Sequence, residues 1–316
     1  TFNKTGHNWV RPFGDTKIAK NQWIAVGSLT NTGKFSHGGD GIGFFSIKDN
    51  TLADLTTDKN VYLNLGIRVD YELPYNNKGE YFAYRAERQS HMFGKTLAVT
   101  GDSISTHGDL TTINNALYYR SGVSYGGVYT YKDTYWGMLE DKLGMIVVQN
   151  EAWSGSSVTG NNNTAALSGQ RSKELVDADV ILVAIGTNDL SGNKTANDFV
   201  PDKADTDRDR EDIIDAYAVM LKNITTTCPQ SRVIVLAPFS RFVRGTTDKW
   251  KNASGITIDQ LQAKIQVVCD YYGVEMFRTG TELGFTPYNY NEYLPDALHP
   301  NKRGMERIAE YISSKL

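Results

Sequence analysis

The chain has 316 residues, 40% of them apolar and 22% charged, with 33 basic against 36 acidic side chains and a formal net charge of −3. That balance marks a folded globular protein and excludes a disordered or collagen-like chain, and the length leaves room for one large domain or two ordinary ones. No run of about 18 apolar residues occurs, which excludes a membrane-spanning helix, and near-neutral charge without a Lys/Arg run excludes nucleic acid as a partner.

The first ninety or so residues read as β structure. Short alternating runs, Gln22-Trp23-Ile24-Ala25-Val26 and Val61-Tyr62-Leu63-Asn64-Leu65, are separated by turn clusters such as Gly38-Gly39-Asp40-Gly41 and Pro74-Tyr75-Asn76-Asn77. Alternation at period two with frequent turns predicts a smaller β-rich domain over residues 1–93, sandwich or jelly-roll-like. The opening Thr1-Phe2-Asn3-Lys4, without Met, leads us to expect a processed or truncated chain.

From residue 94 to 316 the pattern changes. Buried apolar runs at Thr96–Thr100, Met145–Val148, Val180–Ile185, Val233–Leu236 and Val274–Phe277 alternate with helical stretches near 133–143, 211–226, 257–272 and 302–315. Continuous apolar strands alternating with amphipathic helices predict an α/β domain with a parallel sheet covered on both faces. Ligands of such sheets bind beyond the carboxyl ends of the strands, so reactive residues are sought there.

After the first run comes Gly101-Asp102-Ser103. A serine hydroxyl needs a base to become a nucleophile, and the tripeptide alone is also a common turn or helix cap. His299 is the matching base, with Asp296 three residues before it to orient the imidazole and Pro300 after it to open the last helix. His107 is a rival base or a substrate contact. Donors for a developing oxyanion would be the Ser103 N–H, the Gly155 N–H after the second strand and the Asn188 amide after the third.

Taken in order, Gly101-Asp102-Ser103, Gly155, Gly186-Thr187-Asn188-Asp189 and Asp296-Ala297-Leu298-His299 resemble the SGNH (GDSL-type) hydrolase family over about residues 95–316. Ser103, Gly155, Asn188 and His299 fall on its four name-giving residues, and Asp296 on its triad acid. The resemblance implies a flavodoxin-like three-layer α/β/α sandwich and hydrolysis of carboxylic esters with no metal or cofactor. Two segments depart from the family's pattern, 107–132 and the polar 190–210, and both would reshape the pocket.

The substrate is read from aromatic residues. Trp153, Tyr125, Tyr129, Tyr290 and Tyr293 are candidate contacts, since aromatic faces with polar edges suit sugar rings; tyrosines filling core gaps are the alternative. The expected activity is deacetylation of a polysaccharide or glycan. A lipase, lysophospholipase or acyl-thioesterase and a non-catalytic glycan-binding protein are the alternatives. Such a substrate implies a secreted, periplasmic or cell-surface location. Asp202–Arg210 reads as a solvated acidic loop rather than a calcium site, because it lacks the Gly and terminal Glu of an EF-hand and is interleaved with Lys and Arg. Cys228 and Cys269 read as buried thiols, with a disulfide as the alternative. Asn-x-Ser/Thr triplets at Asn3, Asn162, Asn193, Asn223 and Asn252 carry no function on their own.

Overall fold

Strand-forming residues dictate the frame of this computed structural model, which describes residues 45–48, 51–54, 90–112, 114–160, 167–248 and 250–316. The chain divides into two units, Thr1–Arg88 and Gln89–Leu316. In the first, strands β1 (Phe45–Lys48) and β2 (Thr51–Asp54) pair antiparallel, with Ile47 opposite Leu52. The runs expected at Gln22–Val26 and Val61–Leu65, and the sandwich built on them, lie outside the described residues.

The second unit is built on five parallel strands: β3 (Thr96–Gly101), β4 (Ile146–Asn150), β5 (Val180–Ala184), β6 (Arg232–Leu236) and β7 (Glu275–Phe277). Their order across the sheet is β4-β3-β5-β6-β7. Side chains of a strand point alternately to opposite faces, and here both faces are buried. Leu97, Val99, Leu182, Ile234 and Leu236 point to one face, Ala98, Ile181, Val183, Val233 and Val235 to the other.

Helices cover both faces. Helix α1 (Met138–Leu143) and the terminal helix α6 (Lys302–Lys315) cover the first, through Leu139, Met305, Ile308 and Ile312. Helices α3 (Ile213–Thr227) and α4 (Ile258–Tyr272) cover the second, through Ala216, Met220, Ile224, Leu261 and Ile265. Two short helices, α2 (Thr187–Ser191) and α5 (Thr279–Glu282), follow β5 and β7. The result is the expected α/β/α sandwich, with a strand order of the flavodoxin type. Each fully buried Leu or Ile contributes roughly 1.5–3 kcal/mol to it.

Caps set the helix ends. Asp212 accepts from the Ile214 and Asp215 N–H groups at the start of α3, and Thr257 with Gln260 forms a reciprocal box at the start of α4. Two expectations at helix starts are corrected. The stretch expected to be helical from 133 becomes α1 only at Met138, because Thr130 and Asp133 close a separate 3-10 turn over Tyr131–Asp133. The terminal helix spans Lys302–Lys315, matching the expected 302–315 stretch, but Pro300 does not open it: the Asn301 side chain accepts from the Gly304 N–H and takes the capping position. Cys228 and Cys269 are both free and buried. No helix among the described residues is long and apolar enough to cross a membrane.

Candidate active site

The chain leaves β3 toward β4 on one side and returns as β5 on the other, so the carboxyl end of β3 faces the crevice where such sheets take ligands. Gly101 ends the strand under tight constraint: a Cβ there would lie 2.3 Å from the Ala184 carbonyl oxygen. Asp102 then caps a 3-10 turn, Ser103–Ser105, by accepting from the Ile104 N–H at 3.0 Å. The turn is held from below. Trp136 Nε1 and Asn150 Nδ2 both donate to the Ser105 carbonyl at 2.9 Å, and Tyr135 OH meets Ser105 Oγ at 2.7 Å.

Ser103, 7% exposed, places its Oγ 2.9 Å from His299 Nε2. His299 Nδ1 lies 2.7 Å from Asp296 Oδ2, and the other carboxylate oxygen accepts from the backbone N–H groups of Leu298 at 3.0 Å and His299 at 2.6 Å. Folding the carboxylate back in this way puts Ala297 at a φ of 69°, a costly conformation for a residue with a Cβ. The bend is pinned where the Phe242 N–H donates to the Ala297 carbonyl at 3.1 Å. Partial burial alone would raise the Asp296 carboxyl, but the hydrogen bonds and charge of His299 outweigh it and hold the group well below the usual carboxylate range.

The other side of the crevice is stitched to β3 by loops. The Trp153 N–H donates to the Gly101 carbonyl at 3.0 Å, and the buried Asp189 carboxylate accepts from Val158 and Thr159 N–H groups at 3.0 and 2.9 Å. Gly155 is exposed and takes φ 81°, which is why a glycine stands there. Asn188, in α2, donates one amide proton to the Ser156 carbonyl at 2.7 Å and retains a second. Among the described residues, the N–H groups of Ser103 and Gly155 donate to no protein acceptor. Burial pushes the Asp102 carboxyl up to about 7 against the opposing Ile104 N–H bond, with nearby Asp189 adding to the rise.

The sequence-predicted residues thus fall into two groups. Ser103, Asp296 and His299 form one hydrogen-bond chain, and Gly155 and Asn188 sit on the facing loops. His107, the rival base, is fully buried: its backbone N–H donates to Thr111 Oγ1, its ring Nδ1 accepts from the Asp109 N–H, and its Nε2 is buried with no hydrogen-bond partner. Burial lowers its affinity for a proton.

The aromatic candidates need correction. Tyr290 is 1% exposed and stacked on Phe242 at 4.8 Å, so it is core. Tyr293 turns toward α6, against Phe285, Arg303 and Arg307. Tyr129 is exposed and meets neither Ser103 nor His299 among the described residues. Trp153 is half-buried beneath the Arg171 guanidinium, 5.8 Å away. Tyr125 does reach the site, edge-on to His299 at 6.4 Å. Tyr118, outside the predicted set, comes closer, with its ring stacked on the imidazole at 3.6 Å and its hydroxyl donating to Asp296 Oδ2 at 3.1 Å. The acidic segment 202–210 is paired with helix α3, Lys203 and Arg208 with Asp215 and Asp205 with Lys222. No cluster suited to a metal ion occurs among the described residues.

The sequence profile of the GDSL-like Lipase/Acylhydrolase family matches residues 99–307, well over half of the chain and inclusive of every residue above. No curated protein matches. Among solved structures, a Lactobacillus plantarum protein is 23% identical, covering 72% of this chain and 98% of its own with a TM-score of 0.56. A protein from Bacteroides ovatus carried under the name GDSL-like lipase is 20% identical, covering 70% and 97% with a TM-score of 0.54. A Bacteroides uniformis protein of the same name is 21% identical, covering 71% and 95% with a TM-score of 0.53. At these identities the likeness shows a shared fold.

Proposed function

This chain belongs to the GDSL-like lipase/acylhydrolase family and is an ester hydrolase, and on that premise we propose that it is a serine esterase that removes short acyl groups, acetyl above all, from a polysaccharide or glycan. One observation carries the mechanism: the unbroken hydrogen-bond chain from Ser103 Oγ through His299 to Asp296, at 2.9 and 2.7 Å, at the carboxyl end of a central strand.

Ser103 Oγ attacks the ester carbonyl as His299 Nε2 takes its proton, and the ionised Asp296 stabilises the imidazolium from the Nδ1 side. The oxyanion draws on the Ser103 and Gly155 N–H groups and the second amide proton of Asn188, none of them committed to a protein acceptor. His299 then protonates the departing sugar alcohol. Water attacks the acyl-enzyme with His299 again as base, releasing the carboxylic acid and restoring Ser103.

The sugar side of the reading is supported by Tyr125, whose ring stands edge-on beside His299. A glycan substrate would suit a secreted or cell-surface protein. The test is hydrolysis of p-nitrophenyl esters from acetate to dodecanoate by wild type and Ser103→Ala. Acetate-selective turnover that vanishes in the variant is expected. Preference for long chains would move the assignment to a lipase or thioesterase, and no turnover on any ester would favour a glycan-binding protein.

A further inference from the structure

The excursion between Ser103 and α1 supplies no atom to the Ser103–His299–Asp296 chain, yet it is fastened to both ends of it. At the serine end, Thr106 Oγ1 donates to the Ser103 carbonyl at 3.0 Å and accepts from the Tyr118 N–H at 2.9 Å. At the histidine end, Tyr119 OH donates to the Pro300 carbonyl at 2.6 Å and the Lys302 N–H donates to the Gly126 carbonyl at 2.9 Å. The fit at Gly126 is close: its φ is 55°, and a Cβ would fall 2.5 Å from Asn301 Cβ.

Tyr118 sits between these fastenings. Its ring lies 11° from parallel with the imidazole at 3.6 Å, and its hydroxyl donates to Asp296 Oδ2, the same oxygen that faces His299 Nδ1. We propose that Tyr118 is a positioning residue for the acid–base pair: the stacked ring holds the imidazole in the plane that joins Ser103 to Asp296, and the hydroxyl sets how much of the Asp296 charge reaches the imidazole. The inference rests on the proposed roles of His299 and Asp296.

The physical argument separates ring from hydroxyl. The transition state needs imidazolium, which an aromatic face stabilises. A donor on Asp296 Oδ2 draws charge away from the imidazolium and so opposes it. The Asp296 carboxylate is reached by the N–H groups of Leu298 and His299, the His299 ring, Tyr118 OH and the Tyr125 hydroxyl, which also bonds Tyr118. The first three belong to the Asp-x-x-His turn itself, and of the two tyrosines Tyr118 is the one whose ring is stacked on the imidazole. The other polar or charged groups facing the pair are Ser103, Tyr125, and the loop arginines Arg241 and Arg244, whose charges act on Asp296 and Tyr125 respectively. None of these lies parallel to the imidazole.

The experiment compares Tyr118→Phe and Tyr118→Leu with wild type on a short chromogenic ester, reading kcat and KM separately across pH and the melting temperature of each protein. Tyr118→Phe should keep kcat within about threefold and move the acid limb of kcat/KM to higher pH by a few tenths of a unit. Tyr118→Leu should lower kcat by about tenfold or more with little change in KM, and place the limb at lower pH than Tyr118→Phe does, since both variants lack the hydroxyl and differ in the ring. Changes confined to KM with the limb unmoved would overturn the proposal in favour of a substrate wall. Equal kcat losses in both variants that follow a lowered melting temperature would overturn it in favour of mere packing. Carbon NMR of the His299 ring against pH, recorded without substrate, reads the same difference between the two variants. A wild type that cleaves no ester would sink the esterase assignment, whereas identical ring titrations in all three proteins would sink this inference.

Discussion

The two layers on either side of the sheet are built from different residues. The layer of α3 and α4 is aliphatic, with Ile181, Val183, Val235, Leu221, Leu261 and Ile265 at its centre and Tyr217 as its fully buried ring. The layer of α1 and α6 is rich in rings, among them Tyr119, Tyr135, Trp136, Phe239, Phe242 and Tyr290. The difference lies in where the polar tips go. A buried tyrosine or tryptophan must find a partner for its O–H or N–H. Tyr135 and Trp136 find theirs at Ser105, and Tyr119 finds its own at Pro300. Tyr290 OH accepts from the Gly245 N–H. The aliphatic layer supplies burial; the aromatic layer supplies burial and ties the loops that carry Ser103 and His299.

The sharpest break of that contrast is at the tied residues themselves. Ser103→Ala or His299→Ala should lower turnover by about 10⁴-fold or more with the melting temperature nearly unchanged. A steady-state assay beside a thermal melt checks both halves of the statement. Asn188→Ala is next. Losing one oxyanion donor should cost about 10²–10³ in kcat, and a larger loss would mean that the Ser156 carbonyl tie holds the whole loop in place.

The layers are then compared directly. Leu261→Ala or Ile265→Ala, in the aliphatic layer, should destabilise by about 2–5 kcal/mol and leave kcat per folded molecule unchanged. Tyr135→Phe, in the aromatic layer, should cost about 1 kcal/mol yet lower kcat several-fold, because Ser105 Oγ loses its partner beneath the nucleophile's turn. Equal ratios of activity loss to stability loss in urea melts and rate assays would erase the distinction between the layers.

How much of this was legible in the sequence depends on range. The strands and the motif blocks were readable because Ser103 and Asn188 follow closely on continuous apolar runs and the Asp296–His299 block stands just before the last amphipathic helix, so local patterns located them. Tyr118 was not separable from Tyr119, Tyr125, Tyr129 and Tyr131: what singles it out is a hydrogen bond to a residue 178 positions away. Tyr290 and Tyr293 stand just before Asp296 in sequence but pack on Phe242 and against Phe285 and the α6 arginines, contacts to residues distant in sequence that no local pattern reveals. The cap at Asn301 was hidden behind Pro300, whose preference for a helix start is real but weaker than a side chain that accepts the Gly304 N–H.

The last test concerns Asp102, a buried carboxyl beside Ser103 that lies outside the Ser103–His299–Asp296 hydrogen-bond chain. Asp102 is 2% exposed, and burial, opposed by the Ile104 N–H bond and aided by Asp189, carries its carboxyl up to about 7 from 3.8. Between those values the folded protein holds a proton that the unfolded chain has released, so folding stability declines as pH rises from about 4 to about 7 and levels above it. Asp102→Asn keeps an oxygen for the Ile104 N–H and removes the titration. The variant should therefore gain on wild type by about 3 kcal/mol at pH 8 relative to pH 4.5, read by urea denaturation at both values. Only a flattening is expected, because burial also raises the carboxyl of Asp189. An unchanged pH slope would mean that Asp102 stays ionised in the folded state and that its charge, beside Ser103, is compensated by the Ile104 N–H and the surrounding backbone.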